Sequence, residues 1–241
     1  MNLTVVDRDQ VRAAAHGGGY AGALNLSLGD ARDLGAALGS DFYVLGDAQT
    51  LRRSPSTGEV YFDAYASIFL VSARTGKLLQ WQRPNFRSTT AADAEKLLLS
   101  ELANSARLAN NLTVAMQRAQ EDEKASVDGR MQPVAVIEQA PDDDKIAEAE
   151  GLRLPHPFRR LSPPYPPTAA AAEAEATVDV LVDLDAGGEV TRVEVVRWAG
   201  FGLDEATVDT VRQLHFFPAM RNGVAIPLRV LLRYNFRKPE R

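Results

Sequence analysis

The chain has 241 residues, 45% of them hydrophobic, which is enough to bury one large core or two smaller ones. Its formal net charge of −5 argues against a nucleic-acid binder, because such proteins need a dense cationic face. The chain contains no cysteine, so disulfides, thiolate metal sites and a cysteine nucleophile are excluded.

The N-terminal half alternates between helical and extended patterns. Asp7 is a candidate N-cap for a first helix, and Thr89 or Thr90 is a candidate N-cap for a long helix that continues to about Asp122. Between them, aromatic and β-branched alternation predicts strands. The predicted elements are a strand at Leu3–Val6, helices to about Ala15 and at Leu28–Leu38, and strands at Phe42–Leu51, Val60–Ala73 and Leu78–Gln82. This order predicts a compact α+β layer over residues 1–122.

Three short segments of this half carry a resemblance to a known family. They are Thr4–Arg8, Leu38–Gly46 and Val71–Lys77. Together they resemble the CsgG and TolB N-terminal family of bacterial envelope proteins. The resemblance implies an α/β-sandwich-like layer, a sheet with helices on one face, used for envelope assembly or recognition.

Residues 123–151 interrupt the periodic pattern and are rich in acidic residues, as in Asp142-Asp143-Asp144. Consecutive carboxylates on an extended chain point in different directions, so we do not expect them to hold a cation together. The composition predicts a solvated linker. The short apolar piece Val134–Ile137 is a candidate edge strand for either domain.

The C-terminal part, residues 152–241, has a clear strand and helix pattern. Apolar and polar residues alternate through Val178–Asp185, and Gly187-Gly188 then turns the chain into a second strand, Val190–Val196. A helix begins near Leu203, and Ile226–Phe236 forms the last strand. A Pro-rich entry with a short helix at Ala169–Ala174 precedes the first strand. The pattern by itself predicts a small α+β sheet.

Several motifs make this part more specific: Tyr165-Pro166, the Gly187-Gly188 turn, the helix that opens with Leu203-Asp204, and Phe216, Pro218, Ala219 and Gly223. In combination they resemble the C-terminal domain of the TonB family over residues 152–238. The resemblance implies an αββαβ fold with a three-stranded antiparallel sheet. The complete prediction is a two-domain α+β protein with domains at 1–122 and 152–241 joined by the acidic linker 123–151.

The resemblance implies a non-enzymatic periplasmic adaptor that adds a strand of another protein to its own sheet. The expected partner is an outer-membrane protein or the N-terminal peptide of an outer-membrane transporter. A structural subunit of an envelope assembly, whose edge pairs with itself in a homodimer or with a neighbouring subunit, is the alternative. An export signal or membrane anchor is then expected upstream of Met1, since Met1–Val6 does not read as a signal peptide.

The predicted partner-binding residues lie at the Tyr-Pro motif and along the last strand. They are Tyr165, Pro166, Leu228, Arg229, Val230, Leu231, Leu232, Arg233, Tyr234, Asn235 and Phe236. Arg229, Arg233 and Arg237 recur every four residues, which places them on one face of a strand. They either favour an acidic peptide or serve as solubilising charge. Tyr165 either packs under the sheet or reaches the partner.

We predict no catalytic residue, metal or cofactor. His215 has no carboxylate or serine at motif spacing, so we interpret it as a helix-end residue. Asp183, Asp185, Gly188 and Glu194 fit a calcium-loop template in part, but Gly187 replaces an expected ligand and strands flank the loop. A hairpin is the better interpretation.

Overall fold

The computed structural model describes residues 3–127, 137–141 and 143–238. The chain divides into two compact units. The N-terminal unit comprises Met1–Leu24 and Leu28–Gln132, and the C-terminal unit comprises Asn25–Ser27 and Pro133–Arg241. Each unit mixes helices with antiparallel strands, as the predicted α+β class requires.

The N-terminal unit is built on an antiparallel sheet in the order β1-β2-β3, and a further strand, β4, also pairs with β2. Its elements are α1 (Arg8–Gly17), α2 (Leu28–Leu38), β1 (Phe42–Arg53), β2 (Tyr61–Ser72), β3 (Leu78–Gln82), β4 (Asn85–Ser88), α3 (Ala91–Asn104) and α4 (Ala106–Val127). The central strand β2 is the most buried, and Ala64 and Ala66 on it pack against Ala94 and Leu98 of α3.

Both predicted caps are confirmed: the Asp7 carboxylate accepts from the amide of Asp9 at 2.9 Å, and Thr90 caps α3. Three predictions for this half are wrong. Leu3–Val6 is not a strand. The long helix is two helices, because Ser105 takes an extended conformation and its hydroxyl caps α4. The strand β4 was missed, and its Asn85 side chain donates to the buried carboxylate of Asp63 at 3.1 Å.

The C-terminal unit is built on the three-stranded antiparallel sheet β12-β7-β8. Its elements are α5 (Asp144–Ala149), β5 (Leu152–Arg153), β6 (His156–Pro157), α6 (Pro167–Ala172), β7 (Ala176–Leu184), β8 (Val190–Arg197), α7 (Leu203–Val211), β9 (Phe216–Phe217), β10 (Ala219–Arg221), β11 (Val224–Ile226) and β12 (Leu228–Phe236). The order α6, β7, β8, α7, β12 agrees with the predicted αββαβ fold.

The core of this unit lies between one face of the sheet and α7. Val178, Val180 and Val182 of β7 are fully buried, because a period of two puts them on the same face of the central strand. Leu203 and Val211 at the two ends of α7 are also fully buried. The small strands β5, β6, β9, β10 and β11 form two accessory sheets that the sequence did not predict.

The hairpin interpretation of the β7–β8 turn is confirmed. The Asp185 carboxylate accepts from the amides of Gly187 and Glu189 at 2.8 and 2.9 Å, so it stabilises the turn. Gly188 has φ +84°, and a Cβ there would collide with the carbonyl oxygen of Phe216.

The predicted linker is partly folded, which corrects the interpretation of residues 123–151 as a solvated spacer. Helix α4 continues to Val127, and α5 lies within the linker. Asp143, in the acidic run, caps α5 by accepting from the amide of Lys145 at 2.8 Å, and Ala147 of α5 is buried in the core. Of the candidate strand Val134–Ile137, residues 134–136 lie outside the described residues, and Ile137 is not in a strand.

Candidate strand-addition edge

The last strand, β12, lies at an edge of the sheet. It pairs with β7 along its whole length, from Leu228 opposite Leu184 to Phe236 opposite Ala176. On its other side, Arg229 donates its amide to Glu138 O and accepts from the amide of Ala140, both at 2.7 Å. The chain itself therefore occupies the first rung of this edge.

Along a strand, the amides and carbonyls of successive residues point to alternate sides, which shows which backbone groups of β12 face away from β7. Because the amide and carbonyl of Arg229 point away from β7, those of Leu231, Arg233 and Asn235 point the same way. Within residues 3–127, 137–141 and 143–238, no strand pairs with these three residues on that side. They present a row of donors and acceptors of the kind that an added strand uses.

The side chains of β12 divide between the two faces of the sheet. Leu228, Val230 and Phe236 are buried in the core. Arg229, Leu231, Arg233 and Asn235 lie on the opposite face, where Leu231 is 43% exposed.

The arginines of β12 are paired inside the unit. Arg229 binds the Asp183 carboxylate through two nitrogens, and Arg233 does the same to Asp179 at 2.7 and 2.9 Å. Burial alone would raise the pKa of Asp179, but Arg233 and Arg197 together hold it below its ordinary value. Arg237 is exposed. The charge of Arg229 and Arg233 is thus largely balanced within the unit, and the backbone edge is the stronger feature of the surface.

The Tyr-Pro motif lies partly beside this strand. The hydroxyl of Tyr165 donates to Ala174 O at 2.7 Å, and its ring lies 6.5 Å from the ring of Phe236. Burial raises the pKa of Tyr165, with smaller contributions from Glu175 and Glu173. Pro166 instead precedes α6 and faces the turn at Gly202. The structure therefore brings Tyr165 to the end of β12, where it packs against the core, but places Pro166 elsewhere.

The opposite edge of the sheet has a feature that sequence reasoning missed. The Asn25 side chain donates to the carbonyls of Thr177 and Trp198 at 2.8 and 2.6 Å and accepts from the amide of Thr177 at 3.0 Å. Leu26 O accepts from the amide of Trp198 at 3.2 Å, and Ser27 bridges Arg197. An asparagine side chain carries the same donor and acceptor as a peptide group, so Asn25 continues the ladder where β8 ends. A single asparagine gives no signal of this in sequence.

His215 has a carboxylate partner that its sequence context did not indicate. Its Nδ1 lies 2.8 Å from Glu189, 26 residues away, because the β7–β8 turn brings Glu189 beside it. Both side chains are more than half exposed. Such an exposed pair contributes little on its own.

Neither a metal-binding cluster nor a membrane-spanning helix is found in the part of the chain that the structure describes. It holds no group of three or more His, Asp or Glu side chains arranged to bind a metal ion. None of its helices combines the length and apolar character that a bilayer crossing requires.

Residues 162–237 match the family model described as the Gram-negative bacterial TonB protein C-terminal. These residues form a TonB C-terminal domain. The prediction is confirmed for this stretch.

Two curated relatives agree with the match. The Protein TonB of Xanthomonas campestris pv. campestris strain B100 and that of strain ATCC 33913 are each 36% identical over 80 residues, which cover 32% of this chain and 36% of each relative. The solution NMR structure of the Pseudomonas aeruginosa TonB CTD aligns at 22% identity and a TM-score of 0.31, covering 36% of this chain and 89% of that one.

The chain thus spans about a third of the length of these TonB relatives. The matches give no support to the CsgG/TolB resemblance of the N-terminal half, and none to the homodimer. The TonB assignment therefore belongs to the C-terminal unit alone.

Proposed function

We propose that this protein is a non-enzymatic adaptor of the bacterial cell envelope that binds an extended segment of another protein as an added strand on β12. The TonB C-terminal match of residues 162–237 supports a protein-binding role of the TonB type. The observation that carries the proposal is the outward row of backbone groups at Leu231, Arg233 and Asn235.

The partner in this proposal is an outer-membrane protein, engaged through an extended N-terminal segment, and the place of action is the periplasm. Main-chain hydrogen bonds give such a complex its affinity, and the alternating side chains give its specificity. Leu231 is the exposed apolar side chain at the start of the row, so a partner side chain on the same face would pack beside it. Tyr165 buttresses Phe236 at the far end of the strand.

The test is a titration of the full chain with synthetic peptides that cover the N-terminal segments of outer-membrane transporters. Leu231→Pro removes an amide that points to the open side and leaves the ladder to β7 intact, as proline is tolerated on edge strands. We expect this variant to lose peptide binding. Leu231→Ala is the matched control, because it removes the side chain but keeps the amide, and we expect it to retain most of the binding.

Equal binding by wild type and Leu231→Pro would contradict the proposal. No binding by any peptide, together with self-association that grows with concentration, would favour a structural subunit instead. The full chain is used because Asn25–Ser27 and Glu138–Ala140, which contact the sheet, lie outside residues 162–237.

A further inference from the structure

Residues Glu138–Ala140 lie along the start of β12 as a short parallel strand. Glu138 O and the Ala140 amide make two hydrogen bonds to the backbone of Arg229, both 2.7 Å long. Gln139 stands between them and is exposed, and by alternation its own amide and carbonyl point away from β12. The contact is the same kind of main-chain pairing that an added partner strand would make.

Side chains fix the register of this segment. The Glu138 carboxylate receives two hydrogen bonds from Arg221 of β10, at 2.9 and 2.7 Å, in the bidentate geometry that suits a guanidinium and a carboxylate. Ala140 is half-buried and packs against the apolar core of the unit. An acidic residue and, two positions later, an apolar residue thus both have contacts in this site.

We infer that the Arg229 backbone and the Arg221 side chain form a peptide subsite, which Glu138–Ala140 occupies as an intramolecular ligand. The subsite takes from a partner an extended segment in which a Glu or Asp is followed, two residues later, by an apolar residue. The role of this subsite in partner binding rests on the proposed function, because the partner strand would add to the same edge of β12. Glu138–Ala140 competes with such a partner for the first rung of β12.

The strength of this competition follows from how often the subsite is open. Affinity for an external strand falls in proportion to the open fraction, so a subsite free in one molecule in ten binds about tenfold more weakly. The intramolecular segment holds a single rung, which makes exchange with a longer partner strand feasible. At the opposite edge, the three hydrogen bonds of the Asn25 side chain add to the backbone contact.

The experiment uses the full chain and a labelled peptide with the sequence of residues 135–141. Ala140→Pro removes the amide that donates to Arg229 O and so opens the subsite without altering β12. Gln139→Pro is the matched control, because the Gln139 amide is not used in the pairing. We expect Ala140→Pro to bind the peptide about tenfold or more tightly than wild type and Gln139→Pro. A peptide with Gln in place of Glu138 is expected to bind more weakly.

Hydrogen exchange at the Arg229 amide provides an independent readout of the intramolecular contact. The amide is expected to be protected in wild type and Gln139→Pro, and to exchange faster in Ala140→Pro, while amides of β7 stay protected in all three. Equal peptide affinity in all three proteins, or equal affinity for the Gln-substituted peptide, would overturn the inference. Because the probe is the chain's own sequence, this failure is distinguishable from a failure of transporter peptides to bind.

Discussion

Asp179 and Asp204 are both buried in the C-terminal unit, but their charges are balanced in different ways. Asp179 faces two guanidinium groups, from Arg233 and Arg197. Asp204 faces none among its hydrogen-bond partners in the described structure; it accepts from the amides of Ala199 and Gly200, both at 2.8 Å. Burial raises the pKa of Asp204 to about 6; the two amides lower this pKa, and the nearby Glu205 raises it further.

This raised pKa sets a pH dependence of stability. The folded pKa lies above the ordinary value of 3.8, so as pH rises through this range the unfolded chain releases its proton first. We expect the Asp204 contribution to be fully present below about pH 4 and to be lost, by roughly 2–3 kcal/mol, as pH rises to about 6. Urea denaturation of wild type and Asp204→Asn from pH 4 to 7 measures it, since the variant lacks this titration. A pKa at or below 4 for Asp204 by NMR would contradict the expectation.

The pKa of Asp179 is shifted in the opposite direction from that of Asp204. Its folded pKa is lowered, so its contribution is present above its ordinary value and is lost as pH falls through the folded pKa. We expect Arg233→Gln to raise the pKa of Asp179 and to lower stability at pH 7, because a buried carboxylate loses its bidentate partner. Arg237→Gln is the matched control at an exposed arginine and is expected to unfold like wild type. Identical unfolding curves for both variants would show that the ion pair between Asp179 and Arg233 does not contribute to stability.

At the residue scale, the sequence predicted on which face of a strand a side chain lies, but not with which residue it forms an ion pair. The spacing of Arg229 and Arg233 placed them on one face of a strand, where they are found. Their partners, Asp183 and Asp179, depend on the register between β12 and β7, which spacing within one strand does not specify. The contact between Glu189 and His215 was missed as well, because it joins residues that are 26 positions apart in the sequence.

At the scale of elements, the β7–β8 hairpin depends on Gly188. We expect Gly188→Ala to destabilise the protein by about 3 kcal/mol or more, because positive φ costs about 1–2 kcal/mol and the added Cβ also meets the Phe216 carbonyl. Gly223→Ala is the matched control: it has the same φ, +84°, but open space around the Cβ, and only the φ cost of about 1–2 kcal/mol is expected. Denaturant titrations of both variants provide the comparison. Equal losses would contradict the role of the Phe216 contact.

Long elements were predictable and short ones were not. The period of two in Val178–Leu184 and the aromatic alternation in Tyr61–Phe69 both marked strands that the structure contains. Strands of two to four residues, such as β4 and β6, are too short to show a period. The helix break at Ser105 was missed because the apolar periodicity continues on both sides of it.

At the scale of the whole molecule, the TonB C-terminal domain uses residues that are distant in sequence. Asn25–Ser27 and Glu138–Ala140 pair with opposite edge strands of the same sheet, and both lie outside residues 162–237. The domain limits predicted from composition, 1–122 and 152–241, stay a prediction. Composition could not assign Asn25 to the C-terminal unit, because the assignment depends on hydrogen bonds to residues more than 150 positions away in the sequence.

The Asn25 contact can be tested by stability. Asn25→Ala removes three hydrogen bonds and leaves backbone groups of Thr177 and Trp198 without these partners. We expect a loss of about 1–3 kcal/mol in the free energy of unfolding. Asn104→Ala, which removes one exposed hydrogen bond to Ser100 O, is the control and is expected to change stability by less than about 0.5 kcal/mol. A similar small change in both variants would show that Asn25 does not anchor the sheet.

The central claim is that a partner strand adds to the open side of β12. Residue-resolved hydrogen exchange of the full chain, with and without a saturating transporter peptide, tests it most directly. The account predicts that the amides of Leu231, Arg233 and Asn235 gain protection on binding, while those of Leu232 and Tyr234, which already face β7, do not change. Saturated binding with Leu231, Arg233 and Asn235 still exchanging freely would contradict it.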